Sequence, residues 1–405
     1  MRILVQKFGG TSVASREIRE KAIEHILEAR ALGYRVVVVV SAMGRKGDPY
    51  ATDTLLSLIE EQDRTSRREV DLLMSCGELI SGVLFAAQLR SQGVEATVLN
   101  GGQAGITTND DFSRAQILTI NPKRILQELE QDRVVIVTGF QGWTKENETT
   151  TLGRGGSDTS ATALAVALDA EVVDIFTDVE GIMTADPRIV DDARRLRTVT
   201  YSEICNLAYQ GAKVIHPRAV EIAMQKNIPI RVRATTSKDE GTLVTSHTES
   251  DRIEGELRDR LVTGITQTAN VTQIKVFAKP NMQDMQLKVF QAMSVSGISV
   301  DFINVNERGV AYTVSDNDTS KALGVLQELG YEPTVTRACA KVSVVGAGIA
   351  GVPGVMALIL DALTSEGIEI LQSADSHTTI WCLVRGEDMA RAVRALHHKF
   401  ELHVL

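Results

Sequence analysis

Four cysteines are all that this chain of 405 residues carries, Cys76, Cys205, Cys339 and Cys382, and no two form a Cys-x-x-Cys pair. That scarcity speaks against a disulfide framework or a thiolate zinc site, and a reducing cytoplasm is the simplest compartment. No uncharged apolar run reaches about 18 residues, so no membrane span is expected. The first residues lack the basic and apolar stretches of a signal peptide. Positive charge is not in excess either. The net charge of -9 argues against non-specific nucleic-acid binding, while leaving room for the locally basic pocket that a nucleotide needs. The common phosphate loop Gly-x-x-x-x-Gly-Lys-Ser/Thr is absent as well. What is present suits a soluble protein: 43% hydrophobic residues, enough for a full core, and a length that predicts two or three domains.

Through the first 245 residues, short β-branched runs alternate with longer stretches of helical periodicity. The runs are Ile3–Gln6, Val36–Val40, Thr97–Leu99, Val134–Val137, Val172–Phe176 and Ile228–Val232. The helical stretches include Ile18–Ala31, Leu72–Leu89 and Ser157–Leu168. Runs that are nearly all apolar read as strands covered on both faces, and the alternation predicts an α/β layer structure with a mainly parallel sheet. A polar stretch, Thr245–Ser250, reads as a linker. Beyond it the chain repeats itself at an offset of 70 residues: Gly297–Val300 recurs as Gly367–Ile370, and Val310–Val314 as Ile380–Val384. Each repeat reads strand–helix–strand–strand with room for a further helix and strand, a ferredoxin-like unit.

The chemistry-bearing motifs lie in the first part. Val5-Gln6-Lys7-Phe8-Gly9-Gly10-Thr11-Ser12 ends a strand in a lysine and two glycines ahead of a helical pattern. Glycines let backbone N–H groups close on an anion, a helix start favours negative charge, and Lys7 adds a mobile cation. Ser41-Ala42-Met43-Gly44 follows the second strand, where ligands of open sheets bind and where a turn serine is also at home. Glu78 sits in an otherwise apolar segment, as a solvated helix residue or a buried ligand for a cation. Thr151–Ser160 is a glycine-rich turn entering a small-residue helix. Its Arg154 can grip a carboxylate bidentately, and Ser157 or Asp158 can cap the helix while serving a ligand. Phe176–Arg188 begins at another strand end, and Gly211–Arg218 supplies Lys213 near a turn. Lys7, Arg154, Arg188 and Lys213 each stand beside a glycine or turn signal, and together they point to phosphoryl transfer.

In this order, over essentially the whole chain, these stretches resemble the aspartate kinases of the amino-acid kinase superfamily, and the repeats resemble ACT domains, which bind amino acids in pairs. Ser41–Tyr50 and Leu371–Thr379 look closest to the diaminopimelate-sensitive members. The resemblance implies a three-layer αβα kinase domain at 1–245, a linker at 246–261, and two ferredoxin-like ACT domains at 262–337 and 338–405. It implies ATP with Mg2+ and L-aspartate as substrates and 4-phospho-L-aspartate as product. This would be the first step towards diaminopimelate, lysine, threonine and methionine, with feedback through the ACT domains.

By the same resemblance, Lys7 and Asp158 are catalytic, and Ser41, Glu78, Phe140, Arg154, Gly155, Gly156 and Ser157 hold aspartate. Lys7, Phe8, Gly9, Gly10, Thr177, Asp178, Met183, Arg188 and Lys213 hold ATP. Ser299, Val300 and Asp301 mark the effector site, where Asp301 could equally be a capping or solvent-facing acid. Two departures stand out. Met183 replaces a tyrosine of many relatives, and Ala374-Asp375-Ser376-His377 replaces the Ser-Thr-Ser-Glu of lysine-sensitive ones. The second weakens lysine as the effector; the resemblance alone implies diaminopimelate, with lysine or threonine as alternatives. A cytoplasmic homodimer joined through the ACT domains, with no nucleic acid or membrane partner, completes the expectation. Glutamate and acetylglutamate kinases share the phosphate end but lack the paired C-terminal units. A non-catalytic sensor would have no need of intact Lys7, Glu78, Arg154 and Asp158.

Overall fold

The computed structural model describes residues 1–60, 64–212, 214–246, 261–278, 284–349 and 351–404. They form two compact units. The first comprises Met1–Ile182, Arg195–Tyr209 and the described part of Lys213–Arg258; the second comprises Met183–Arg194, Gln210–Ala212 and the described part of Asp259–Leu405.

The first unit runs β1 (Ile3–Phe8), α1 (Arg16–Ala31), β2 (Arg35–Val40), α2 (Thr52–Leu56), α3 (Arg67–Ser91), β3 (Ala96–Leu99), β4 (Ile106–Thr108), β5 (Ile117–Ile120) and α4 (Lys123–Glu130). It continues with β6 (Val134–Thr138), β7 (Gln141–Trp143), β8 (Thr149–Thr151), α5 (Gly156–Leu168), β9 (Val172–Thr177), β10 (Thr198–Thr200), α6 (Tyr201–Tyr209), α7 (Pro217–Met224), β11 (Ile230–Ala234) and β12 (Thr242–Thr245). Its main sheet has the order β10-β12-β11-β9-β1-β2-β6-β3 and is parallel except between β11 and β12.

The sequence explains this arrangement. Val36–Val40 of β2 is at most 1% exposed, as a strand covered on both faces must be. Val36, Val38 and Val40 pack with Ile23 and Ile26 of α1 and with Phe85 and Leu89 of α3. Val39 points the other way, towards α5: a Cβ on Gly139 would lie 2.9 Å from both Val39 and Ser157. Helices thus cover both faces. A smaller sheet, β5-β4-β7-β8, has no counterpart among the expected strands.

α3 is, among the described residues, the one helix long and apolar enough to cross a membrane by length and composition. Here it packs on β3 and β6 and carries two buried acids, Asp71 and Glu78. Its start follows the Ser-x-x-Glu pattern of a capping box: Ser66 Oγ accepts from the N–H of Glu69 at 3.5 Å.

The second unit runs β13 (Gly264–Phe277), α8 (Met285–Val295), β14 (Asp301–Asn306), β15 (Gly309–Ser315), α9 (Thr319–Glu328), β16 (Thr334–Val345), α10 (Val355–Ser365), β17 (Gln372–Asp375), β18 (Thr379–Arg385) and α11 (Met389–Lys399). One antiparallel sheet, β14-β15-β13-β16-β18-β17, serves both repeats. Its two central strands are long and change register at Thr268–Gln273. Val271–Phe277 of β13 belongs with β15, while Gly264–Thr268 runs against Lys341–Val345 of β16.

The first repeat closes on itself with the start of β16. The second does not carry its own last strand, because no strand follows α11 among the described residues. Its fourth place is filled by Gly264–Thr268, from ahead of the first repeat. An unpaired edge at Lys341–Val345 would expose a row of N–H and C=O groups, and the exchange closes it.

The division between units is not a single cut. Ala185 and Val190 pack into the core of the second repeat beside Ile359, Leu363 and Val393, and the N–H of Ile265 donates to Thr184 O at 2.8 Å. Most of the expected linker, 247–260, lies outside the described residues.

Candidate active site

The carboxyl ends of the parallel strands, where ligands of open α/β sheets bind, border a cleft of about 860 Å³ in the first unit. Lys7 reaches it from β1, Ser41 from the end of β2, Glu78 from α3 and Phe140 from the turn after β6. Arg154, Gly155, Gly156, Ser157 and Asp158 come from the turn into α5. Both expected catalytic residues and all seven expected aspartate ligands therefore line one cavity, with Gly10.

The turns that place them are tight. The first glycine loop does not open α1 directly. A 3₁₀ turn, Gly10–Ser12, intervenes, and Ser15 caps α1 by accepting from the N–H of Ile18 at 3.3 Å. A Cβ on Gly10 would stand 2.6 Å from Gly44 O, so only glycine lets the two loops meet. Gly155 has φ +68°, and a Cβ there would strike the His216 ring at 2.2 Å. Phe140 is left-handed without being glycine, φ 69°, and its N–H donates to Ser160 Oγ at 3.1 Å. Such an outlier in a cleft is characteristic of functional backbone. α5, most of whose residues are Ala, Ser, Thr or Gly, is buried on most of its surface and directs its N-terminus into the cleft.

The electrostatics are uneven. Six lysines and arginines line the cleft, Lys7, Arg45, Lys46, Arg114, Arg154 and Arg218, against three acids, Asp53, Glu78 and Asp158. Lys7 Nζ lies 2.7 Å from Asp158 Oδ1, both side chains only 12% exposed. Asp158 Oδ2 accepts from the His216 N–H at 3.3 Å, tying α5 to the start of α7. Arg154 is exposed, and among the described residues its guanidinium has no partner. Glu78 is 2% exposed. One of its oxygens accepts from the Ala42 N–H at 3.1 Å; the other is buried with no partner. Burial pushes its carboxyl up to about 8, so without a cation beside it the group is largely protonated at neutral pH. The solvated-helix alternative for Glu78 is thereby removed.

Seven residues towards the N-terminus of α3, Asp71 is the opposite case. It accepts from Ser113 N–H (2.9 Å), Ser113 Oγ (3.1 Å), Thr151 N–H (2.7 Å) and Thr151 Oγ1 (2.8 Å). Burial raises its carboxyl, and these four donors work against that rise. Asp71 thus anchors both loops that flank Arg154.

The remaining expected nucleotide residues are distributed differently. The Phe8 ring is fully buried, stacked on Phe176 (4.7 Å) and Phe85 (5.6 Å), so only its main chain is at the strand end. Gly9 N–H is bonded to Phe176 O at 3.3 Å. Thr177 and Asp178 close β9; Thr177 Oγ1 donates to Asp178 Oδ1 at 3.1 Å, and Asp178 is ion-paired with Arg45. Met183 and Arg188 belong to the second unit, where Asp186 grips the Arg188 guanidinium with both oxygens, 3.0 and 2.7 Å. Lys213 lies outside the described residues. Arg114 and Arg218 went unassigned in the sequence. Arg114 has no glycine signal beside it, and Arg218 follows His216-Pro217, further from the glycine of its motif than Lys213. Arg218 bridges Leu152 O (3.4 Å) and Ala115 O (3.5 Å).

Comparison with known proteins fits this cleft. Residues 2–234 match the amino acid kinase family, and 334–398 match an ACT domain. Aspartokinase 1 of Bacillus subtilis is 58% identical over 403 residues, covering 99% of this chain and 100% of the relative. The chain belongs to the aspartokinase family. It is an ACT-containing kinase of the phosphotransferase class. Among solved structures, E. coli aspartokinase III with aspartate and ADP superposes with a TM-score of 0.80 at 29% identity, over 98% of this chain and 99% of that one. The same E. coli enzyme with lysine and aspartate gives 0.77 at 28%, over 98% and 99%. This aspartokinase therefore shares fold and activity class with them, the parallel sheet and the C-terminal ACT fold included.

Proposed function

We propose that the cleft transfers the γ-phosphoryl group of ATP to the β-carboxylate of L-aspartate, with the roles divided as follows. The carboxylate has an ordinary pKa near 4 and is already ionised, so no general base is needed. Its oxygen forms the new bond to phosphorus while the bond to the β,γ-bridging oxygen breaks, and ADP leaves. The difficulty is repulsion between two anions. Lys7, held by Asp158, meets the phosphates together with the N–H groups around Gly9 and Gly10, and Lys213 is the second lysine assigned to them. Arg154 takes the α-carboxylate and Glu78 the ammonium group, in the frame of Ser41, Phe140, Gly155, Gly156 and Ser157. Thr177 and Asp178, at the end of β9, serve the nucleotide.

Mg2+ suits this donor set. Asp158 is taken up by Lys7 and the His216 N–H, and Glu78 is buried at the side of the cleft, so an ion would arrive on phosphate oxygens and water, as Mg2+ does. Bound there, it supplies charge neutralisation. The observation that carries the reading is the Lys7–Asp158 pair at the mouth of α5, in a cleft where cations outnumber acids two to one. ADP release across a panel of amino acids tests it. Aspartate should be the acceptor, and preference for glutamate or acetylglutamate would overturn it.

We further propose that the enzyme is cytoplasmic, opens the route to diaminopimelate, lysine, threonine and methionine, and forms a homodimer through ACT domains at 262–337 and 338–405. Its feedback effector would be diaminopimelate, bound near Ser299, Val300 and Asp301. The lysine complex of the E. coli relative supports an amino-acid effector of this kind. Ser299 is exposed and Val300 half-buried. Asp301 contacts Lys341 Nζ at 2.5 Å and accepts from the Phe302 N–H at 2.8 Å. Burial works to raise its carboxyl, but these partners hold it below the usual value. An effector ammonium must therefore compete with Lys341. Calorimetry with diaminopimelate should show binding weakened in Asp301→Ala; wild-type affinity would reject the site.

A further inference from the structure

Three of the seven histidines, His397, His398 and His403, fall within the last nine residues of the chain. His397 and His398 end α11, His403 lies in the turn beyond it, and Asp192 approaches from the Met183–Arg194 segment of the same unit. One ligand atom from each of Asp192, His398 and His403 lies within 4.8 Å of the other two, the one such convergence among the described residues. His398 Nε2 is 3.7 Å from Asp192 Oδ2. Ligands on one tetrahedral ion with bonds of about 2.0–2.1 Å stand roughly 3.3 Å apart, so rotation of the exposed His398 ring and the Asp192 carboxylate closes the gap. The His398 and His403 ring centres are 4.9 Å apart, near the roughly 5 Å expected for two imidazoles on one ion.

A second observation is independent of that spacing. His397 is fully buried, and its Nδ1 has no hydrogen-bond partner, yet faces Asp192 Oδ1 at 3.8 Å. His403 Nδ1 is likewise buried and unpartnered. Thr184 Oγ1 accepts from the Arg194 N–H at 2.9 Å and shares a hydrogen with His397 Nε2, also at 2.9 Å. In the tautomer in which the Thr184 hydroxyl donates, the His397 proton is on Nδ1, on the side of the Asp192 carboxylate. Carboxylates that ligate a metal are themselves hydrogen-bonded, and an imidazole N–H beside Asp192 can fill that part. The end of α11 adds the negative pole of a helix, and Arg194 Nε fixes the His403 carbonyl at 3.0 Å.

We propose that Asp192, His398 and His403 bind a divalent transition-metal ion of the Zn2+ class, with His397 orienting Asp192 and a fourth position open to water. Two imidazoles and one carboxylate suit Zn2+ or Co2+ and not Mg2+. The ion would pin the Met183–Arg194 segment to the end of α11. The test uses the full chain, stripped with chelator and free of nucleotide. CoCl2 titration should give the visible bands of four-coordinate Co2+, saturating at one ion per chain and bleached by an equivalent of ZnCl2. His398→Ala, at an exposed position, should weaken Co2+ binding at least about tenfold with unchanged far-UV circular dichroism. His403→Ala and Asp192→Asn should abolish the bands. ZnCl2 should raise the melting temperature of the wild type and not of these variants. No bands beyond those of hydrated Co2+, or bands and melting shifts that persist in His398→Ala and Asp192→Asn, would overturn the assignment.

Discussion

The two buried carboxylates of α3 belong to different regions of the first unit, and they are treated in opposite ways. Around Asp71 every lone pair in reach has a donor, and the loops at Ser113 and Thr151 are tied down. Around Glu78, at the cleft, one oxygen is left without a donor in a place that water does not reach. A buried acceptor left unmet costs about 1–3 kcal/mol, so a fold retains one only where something else supplies the missing partner. The first region is scaffold. The second lines the cleft, where the proposed reading has Glu78 meet the ammonium group of the substrate. The same contrast separates Arg188, locked by Asp186, from Arg154, which has no partner among the described residues.

Substitutions can break or sharpen that contrast. The largest effect is expected on the cleft side. Lys7→Ala should lower kcat about 10²–10³-fold with little change in melting temperature, and near-normal turnover would remove Lys7 from the chemistry. Next comes the scaffold: Asp71→Asn turns an amide donor towards N–H groups that need an acceptor. It should cost about 3 kcal/mol by denaturant unfolding. A variant as stable as wild type would erase the distinction between the two acids.

Glu78→Gln should keep stability and raise the aspartate KM about 10–100-fold. Its pH signature is separate. A carboxyl raised in the folded state to about 8 makes the folded protein bind more protons than the unfolded chain between about pH 4.5 and 8. Stability should therefore fall as pH rises through that window, and less so in Glu78→Gln. Aspartate affinity should move the other way in the wild type, improving as pH rises and Glu78 ionises. A flat profile would deny it the ammonium. The smallest effect is Arg154→Lys, with the aspartate KM up about tenfold and nucleotide binding intact, because a lysine cannot grip a carboxylate with two parallel bonds.

Much of this was legible in the sequence because it rests on local rules. Five consecutive valines leave few options but a strand covered on both faces. Lys7-Phe8-Gly9-Gly10 and Gly153–Gly156 announce backbone that must pass close to something. The Thr-rich strands β4 and β8, three residues each, carry no such signal; they are held by the sheet they join. Nor could periodicity show that Phe8 spends its ring on the core, that Arg45 pairs with Asp178, or that 183–194 packs with the second repeat. These are long-range choices between partners of equal local merit. The 70-residue offset revealed the duplication but not that one repeat borrows a strand from in front of the other.

That borrowing governs where the chain can be cut. A chimaera joined between the repeats, near residue 337, would take Gly264–Thr268 away from the sheet it completes and leave Lys341–Val345 with a bare margin. Grafting the regulatory half onto another catalytic half has to begin upstream of Gly264, so that evolution and engineering alike inherit the pair as one indivisible module.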